Sequence, residues 1–358
     1  GCRRRGAPGS RAGPMPTPTD RQPRHGRSSG AGTLGHRFAS FSHAAPSHPP
    51  LRVRRLRAVG AGPRRRGRQR GGDPRILTDL NRSLRAVKTL GGVRRITVPS
   101  SHDGLEIEGW LTLPPGYTKG QRVPLILEIH GGPFSMYGPF FASEIQRYAA
   151  EGYVTVYVNP RGSTGYGEEF AQAIDQAYPG YDYDDLMSVV DELVARKYAD
   201  PDRLFVTGGS GGGILTAWIV TKTDRFAAAA SIKPVINWMT MALAGDIAQF
   251  VRRHWIREDP WSNPDAFLKL SPISYVDQVV TPTLVMVGEE DWRTPTWEAE
   301  QFYTALKMND VDTALIRVPG SSHYIAGRPS RLIAKTDNIM GWFAKYDPAK
   351  IDEDSEGK

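Results

Sequence analysis

Cysteine is almost missing from this chain. Cys2 is the only one among 358 residues, which excludes a disulfide framework and a cysteine-built metal site. Long apolar runs are missing too, none approaching the roughly 18 residues of a membrane-spanning helix. No H-E-x-x-H occurs and no glycine-rich loop ends in Gly-Lys-Ser or Gly-Lys-Thr, so neither a zincin site nor a P-loop is expected. The four histidines beyond the first 72 residues, His102, His130, His254 and His323, are too scattered to suggest a metal constellation. The expected cofactor is therefore none.

Lysine and glutamate are absent from residues 1–72, which hold 17 Arg, 13 Gly, 9 Pro and a single Asp. The net charge of +8 splits into +16 in that segment and −8 in the remainder, where all eight Trp and all 14 Tyr also lie. A chain rich in Gly, Pro and one charge cannot bury enough apolar surface to fold, so residues 1–73 are expected to be a disordered tail. Arg64-Arg65-Arg66-Gly67-Arg68 could neutralise phosphates. The lack of lysine and of stacking aromatics other than Phe38 and Phe41 argues against nucleic acid as a partner. The composition reads better as GC-rich coding sequence without selection for a fold, in frame or out of it. Three arginines follow Cys2 with no apolar segment after them, so no secretory signal is read, and a cytoplasmic location without membrane contact is the expectation. The first residue is Gly1, and the sequence reads as a fragment.

From Arg94 short apolar runs alternate with Gly and Pro. Arg94 to Val98 and Leu105 to Leu113 alternate around Asp103-Gly104, the pattern of an antiparallel hairpin. Pro124 to Ile129 is an apolar run broken only by Glu128, as a strand buried on both faces would be. Helices are expected over 143–151 and 182–197, and strands over 153–158, 203–207, 226–232, 283–288 and 314–318. This alternation predicts an α/β fold, a mostly parallel central sheet with helices on both faces and an antiparallel edge. The expected segments are the tail 1–73, a linker at 74–93, a catalytic domain at 94–347, and a disordered C-terminal tail at 348–358.

Gly208-Gly209-Ser210-Gly211-Gly212-Gly213 follows a strand and opens a helix, the setting that a G-x-S-x-G nucleophile turn requires. Small residues two before and two after the serine let strand and helix approach closely. A flexible glycine turn is the plain alternative. A serine hydroxyl needs a base, and histidine suits neutral pH. His102 lies in the hairpin, His130 precedes two glycines, and His254 sits among Arg252, Arg253 and Trp255. His323, in Pro319-Gly320-Ser321-Ser322-His323 beyond a late strand, stands at the strand edge where ligands collect in parallel sheets. The orienting carboxylate is expected between serine and histidine, and Asp291, just past the 283–288 strand, fits better than Glu289, Glu290, Asp246 or Asp259. The backbone N–H of Gly211 and the loop His130-Gly131-Gly132-Pro133 are the expected oxyanion donors, unless that loop is merely a tight turn.

These blocks, with Ser101 to Gly109, Asn159-Pro160-Arg161-Gly162-Ser163-Thr164-Gly165-Tyr166-Gly167 and Gly288 to Pro295, resemble the catalytic domain of the prolyl oligopeptidase family, on its acylaminoacyl-peptidase and dipeptidyl-peptidase side. The resemblance runs from about Arg94 to Tyr346. It implies an α/β-hydrolase fold and cleavage of short or N-acylated peptides through an acyl-enzyme. It places the catalytic groups at Ser210, Asp291 and His323 and the oxyanion donors at Gly211 and His130 to Gly132. It implies that Arg293 binds the substrate's P2 carbonyl. Trp238 falls where the family's S1 pocket has an aromatic, though a core position is equally open to it. Family members carry a β-propeller before this domain, and Pro74 to Asn81 resembles only a propeller's closing strand. That departure puts exopeptidase selectivity in doubt. It also leaves open a carboxylesterase or thioesterase, an inactive remnant, and a homo-oligomer formed through the face a propeller would cover.

Overall fold

The computed structural model describes Asp79 and residues 81–351, so the expected tail and residues 352–358 lie outside the described residues. Within the stretch expected as a linker, a short helix α1 (Arg82–Val87) precedes the first strand, and β1 (Gly92–Pro99) begins two residues ahead of Arg94. Of the stretch expected as a C-terminal tail, residues 348–351 form a helical turn.

Eight strands make one sheet. They are β1, β2 (Glu106–Leu113), β3 (Val123–Ile129), β4 (Val154–Asn159), β5 (Ala199–Gly209), β6 (Ala228–Ile232), β7 (Thr283–Gly288) and β8 (Thr313–Val318). Their spatial order is β1-β2-β4-β3-β5-β6-β7-β8. The hairpin β1–β2 turns at Asp103-Gly104 and pairs antiparallel to itself and to β4, while every pairing from β4 to β8 is parallel. Two expected strands shift at their starts. β5 begins at Ala199, which pairs with Val123, so Asp200-Pro201 lies inside the strand. β6 begins at Ala228, opposite Phe205.

The long helices are α2 (Ser143–Ala150), α4 (Asp182–Ala195), α5 (Gly211–Val220), α9 (Thr296–Met308) and α10 (Pro329–Lys345). Short ones are α3 (Glu168–Gln172), α6 (Trp238–Ala244), α7 (Ala248–Phe250) and α8 (Pro264–Lys269). Strand alternation divides the core in two. Leu125, Leu127, Val206 and Val285 join Leu186, Ile219 and Phe302 in one layer, and Ile126, Phe205 and Met286 join Tyr148, Ile339 and Phe343 in the other. No described helix is long and apolar enough to cross a membrane.

The parallel order has one consequence for the site. The carboxyl ends of β3, β5, β6, β7 and β8 all open at the same edge of the sheet, so the loops after these strands converge although they are far apart in sequence.

Candidate active site

Ser210 sits at the turn between β5 and α5 with φ 60° and ψ −118°, a conformation that a side chain bearing Cβ adopts only under constraint. Two features impose it. The Ser210 N–H donates 2.9 Å to the carbonyl of Ile232 on β6. Gly212 packs so closely on β3 that an added Cβ would overlap the Ile129 carbonyl oxygen. The turn lifts the hydroxyl off the end of the sheet, half-buried and open on one side.

His323 reaches this hydroxyl from the loop after β8, with Nε2 3.0 Å from Ser210 Oγ. Its Nδ1 lies 2.8 Å from Oδ2 of Asp291, which is 3% exposed in the loop after β7. Serine, histidine and aspartate thus form a continuous hydrogen-bonded chain. Asp291 also accepts from the N–H groups of Arg293 (2.9 Å) and Thr294 (3.0 Å), and from Thr294 Oγ1 (3.1 Å). Burial alone would raise the Asp291 carboxyl. The hydrogen bonds from His323 and Thr294 outweigh it and hold the group below the ordinary carboxylate value. A buried anion of this kind fixes the imidazole's orientation and stabilises its protonated form.

The loop after β3 closes the other side. Gly131 lies so near the turn that an added Cβ would come within 2.9 Å of the Gly209 carbonyl and 3.3 Å of Ser210 Cβ. Among the described residues no hydrogen bond is made by the N–H of Gly131, Gly132 or Gly211, and the Gly131–Gly132 loop packs against the Ser210–Gly211 turn. The side chain of His130 points away from this space. Its Nδ1 lies 2.7 Å from the Gly131 carbonyl and its Nε2 2.9 Å from Ser163 Oγ, and burial pushes it toward the neutral form. His130 therefore shapes the loop, and the free N–H groups belong to glycines. Of the other histidines, His102 stacks on Tyr181 with ring centroids 3.4 Å apart, and His254 is exposed beside Phe250.

Of the two places open to Trp238, the structure gives the core. Its side chain is 1% exposed and lies under Trp255, with ring centroids 5.2 Å apart. The tryptophan that lines a cavity is Trp255, itself buried and carried by a π-type turn (Val251–Trp255) that a helical periodicity does not anticipate. With Phe134 and Phe250 it makes the aromatic part of a cavity of about 250 Å³, whose remaining wall includes Gln172, Gln176 and Arg257. Tyr178 packs on Trp255 and donates 2.8 Å to the carbonyl of Gly211, linking this cavity to the serine turn. Arg293, two residues past Asp291, is exposed, its Nε 2.6 Å from Asp246 Oδ1.

Three further residues support the site and carry no motif. Thr294 backs Asp291. Glu298 accepts from the N–H groups of Ile236 (2.9 Å) and Asn237 (3.0 Å) and from Thr240, fixing the start of α6, and burial pushes its carboxyl up to about 6. Lys233, just past β6, donates 2.9 Å to the main-chain carbonyl of His323. A spacing rule could not find Glu298 or Lys233, because each acts through a fold contact between distant segments, and Thr294 gains its place only when His323 docks beside it.

A mostly parallel sheet with a serine on a strained strand-to-helix turn and a histidine and aspartate from later strand ends defines the α/β-hydrolase fold. Residues 139–347 match the model of the prolyl oligopeptidase family, and the chain belongs to that family. It is 42% identical over 250 residues to an uncharacterized peptidase, YuxL, of Bacillus subtilis (strain 168), covering 69% of this chain and 38% of that protein. An acylamino-acid-releasing enzyme of Arabidopsis thaliana is 33% identical over 235 residues, covering 63% of this chain and 31% of that protein. Among solved structures, an acylaminoacyl peptidase of Pyrococcus horikoshii superposes with a TM-score of 0.71 at 32% identity, covering 76% of this chain and 44% of that one. Another, an acylaminoacyl peptidase in complex with Z-Gly-Gly-Phe-chloromethyl ketone, gives 0.72 at 33% identity, with the same coverage. The chain thus spans less than half the length of these relatives.

Proposed function

We infer that this chain is a serine peptidase acting on short or N-acylated peptides through an acyl-enzyme on Ser210. The observation that carries the reading is the Ser210–His323–Asp291 hydrogen-bonded chain beside two free backbone donors. Ser210 Oγ attacks the substrate carbonyl carbon while His323 Nε2 takes its proton. The oxyanion forms against the N–H groups of Gly132 and Gly211, each such donor lowering the barrier by about 2.7–4 kcal/mol. His323 then returns the proton to the leaving amine as the C–N bond breaks, and water repeats the sequence to release the acid.

We assign the P1 side chain to the cavity of Phe134, Phe250 and Trp255, which Tyr178 links to the Gly211 carbonyl, so a large apolar P1 residue fits best. Arg293, anchored by Asp246 and two residues from Asp291, is the group we assign to the P2 carbonyl. The resemblance of the chain to acylaminoacyl peptidases supports an N-acylated residue as the group transferred.

The test compares turnover of an N-acetyl-phenylalanyl anilide with that of a simple aryl ester, alongside fluorophosphonate labelling of the wild type and Ser210→Ala. Anilide hydrolysis and labelling, both lost in Ser210→Ala, are expected. Ester turnover without anilide turnover would replace the peptidase reading by an esterase, and a wild type that never labels would leave an inactive domain.

A further inference from the structure

Lys233 is placed at some cost. It follows the last residue of β6 with φ 45°, in the left-handed region that a lysine seldom occupies. Its side chain is half-buried under the active-site loops, where a long cationic side chain ordinarily keeps its head group solvated. Three contacts show what holds it there. Nζ donates 2.9 Å to the main-chain carbonyl of His323. The lysine stem lies against the serine turn, such that a Cβ added at Gly209 would meet Lys233 Cε at 3.1 Å. The ring of Tyr324, the residue after His323, lies 5.9 Å from Nζ. One side chain therefore touches the segment before the nucleophile and the residue that bears the base.

We propose that Lys233 is a positioning residue that fixes His323 relative to Ser210 through a charge-assisted hydrogen bond to the His323 carbonyl. The inference rests on the peptidase reading only in taking Ser210 and His323 as the reacting pair. His323 sits in an irregular loop, Pro319 to His323, where its main chain has no regular ladder to hold it. Bonds from an ionised donor are roughly twice as strong as neutral ones. A shift of about 1 Å in a reacting group costs on the order of 100-fold in rate.

The groups facing Lys233 set how its charge responds to pH. Burial pushes its ammonium down to about 8, and Lys335 from α10 adds to the effect, while Asp291 after β7 and Glu144 on α2 oppose it. His323 and Tyr324 complete its surroundings. Above about pH 8 the donor becomes a neutral amine, and the bond to His323 weakens. Losing the positive charge acts in opposite directions on the imidazolium and the oxyanion that form together, so the weaker bond decides the sign. The rate falls.

The experiment follows the rate constant of fluorophosphonate labelling from pH 6 to 9.5 in the full chain and in Lys233→Met and Lys233→Arg. Labelling reads the nucleophile without choosing a substrate. The wild type is expected to hold a plateau and decline above about pH 8. Lys233→Met should label roughly tenfold or more slowly, with no inflection near pH 8. Lys233→Arg keeps a donor that does not titrate in this range, so it should restore most of the rate and continue its plateau past pH 8. Should Lys233→Met fail to fold, judged by its circular dichroism melt, the comparison of Lys233→Arg with wild type decides alone. Equal rates in all variants, or one pH profile shared by wild type and Lys233→Arg, would overturn the proposal. Failure of the peptidase reading looks different: the wild type would not label at Ser210 at all.

Discussion

Thr294 Oγ1 stands 3.1 Å from Asp291 Oδ2 and 3.3 Å from His323 Nδ1, so one hydroxyl borders both ends of the bond that orients the base. It donates to the carboxylate and leaves the imidazole N–H no better acceptor than Asp291. Replacing Thr294 by Val keeps the shape and removes the hydroxyl. The variant should lose about tenfold in kcat with KM nearly unchanged, since a hydrogen bond to a charged group contributes roughly 1.5–3 kcal/mol. An unchanged kcat in steady-state assays would show the hydroxyl to be idle.

Asp291→Asn leaves the loop sterically intact and lets the amide compete for the wrong imidazole tautomer. Turnover is expected to drop by about 10⁴-fold while the circular dichroism melt stays close to wild type. A loss of under tenfold would mean that another carboxylate orients His323.

Gly212→Ala tests the turn itself. The new methyl would overlap the Ile129 carbonyl oxygen on β3, a backbone atom that cannot swing aside. Either the chain fails to fold or the Ser210 turn relaxes, and fluorophosphonate labelling is lost in both cases. Labelling at the wild-type rate would contradict the close approach described above.

Phe250→Ala opens the aromatic cavity at a side chain that is 38% exposed, so it should perturb the fold little. The kcat/KM ratio of P1 phenylalanine over P1 alanine should fall roughly tenfold, the scale of 1–3 kcal/mol expected for a buried aromatic contact. A ratio that does not move would place the P1 side chain elsewhere.

Glu128 supplies a pH dependence of stability. It lies on β3 facing the α2–α10 layer, where burial and the nearby Glu144 push its carboxyl from 4.5 up to about 8, against the opposing charge of Lys335. Between those values the folded chain keeps a proton that the unfolded chain has released, so stability falls as pH rises through that window and levels off above it. Glu128→Gln should therefore raise the melting temperature at pH 8 and change it little at pH 4.5. Asp182, raised to about 7 by burial, contributes in the same direction, so the variant flattens the slope without abolishing it. A melting temperature lowered equally at both pH values would refute this account.

The parallel core was readable in the sequence because buried strands such as Pro124 to Ile129 and Thr283 to Gly288 are apolar but for Glu128 and Thr283 and run into glycines within two residues of their ends. Ser210 was readable because its neighbours must be small, and His323 because few histidines compete with it. Trp238 was not resolved between core and pocket, since a tryptophan has the same sequence signature in both. What decides is the π-type turn that sets Trp255 between Trp238 and the cavity, and its residues Val251 to Trp255 look like any basic helix end. Thr294, Glu298 and Lys233 were illegible for a different reason. Each is defined by a partner 29 to 90 positions away, His323 for Thr294 and Lys233, and Ile236 for Glu298, and no local pattern encodes that pairing.

The nucleophile and its base are 113 residues apart in the chain, with β6, β7 and β8 to be laid down between them. During synthesis the serine turn therefore emerges long before the histidine that activates it. A nascent chain carries an inert hydroxyl until the far edge of the sheet docks, so hydrolytic competence arrives only with the completed domain.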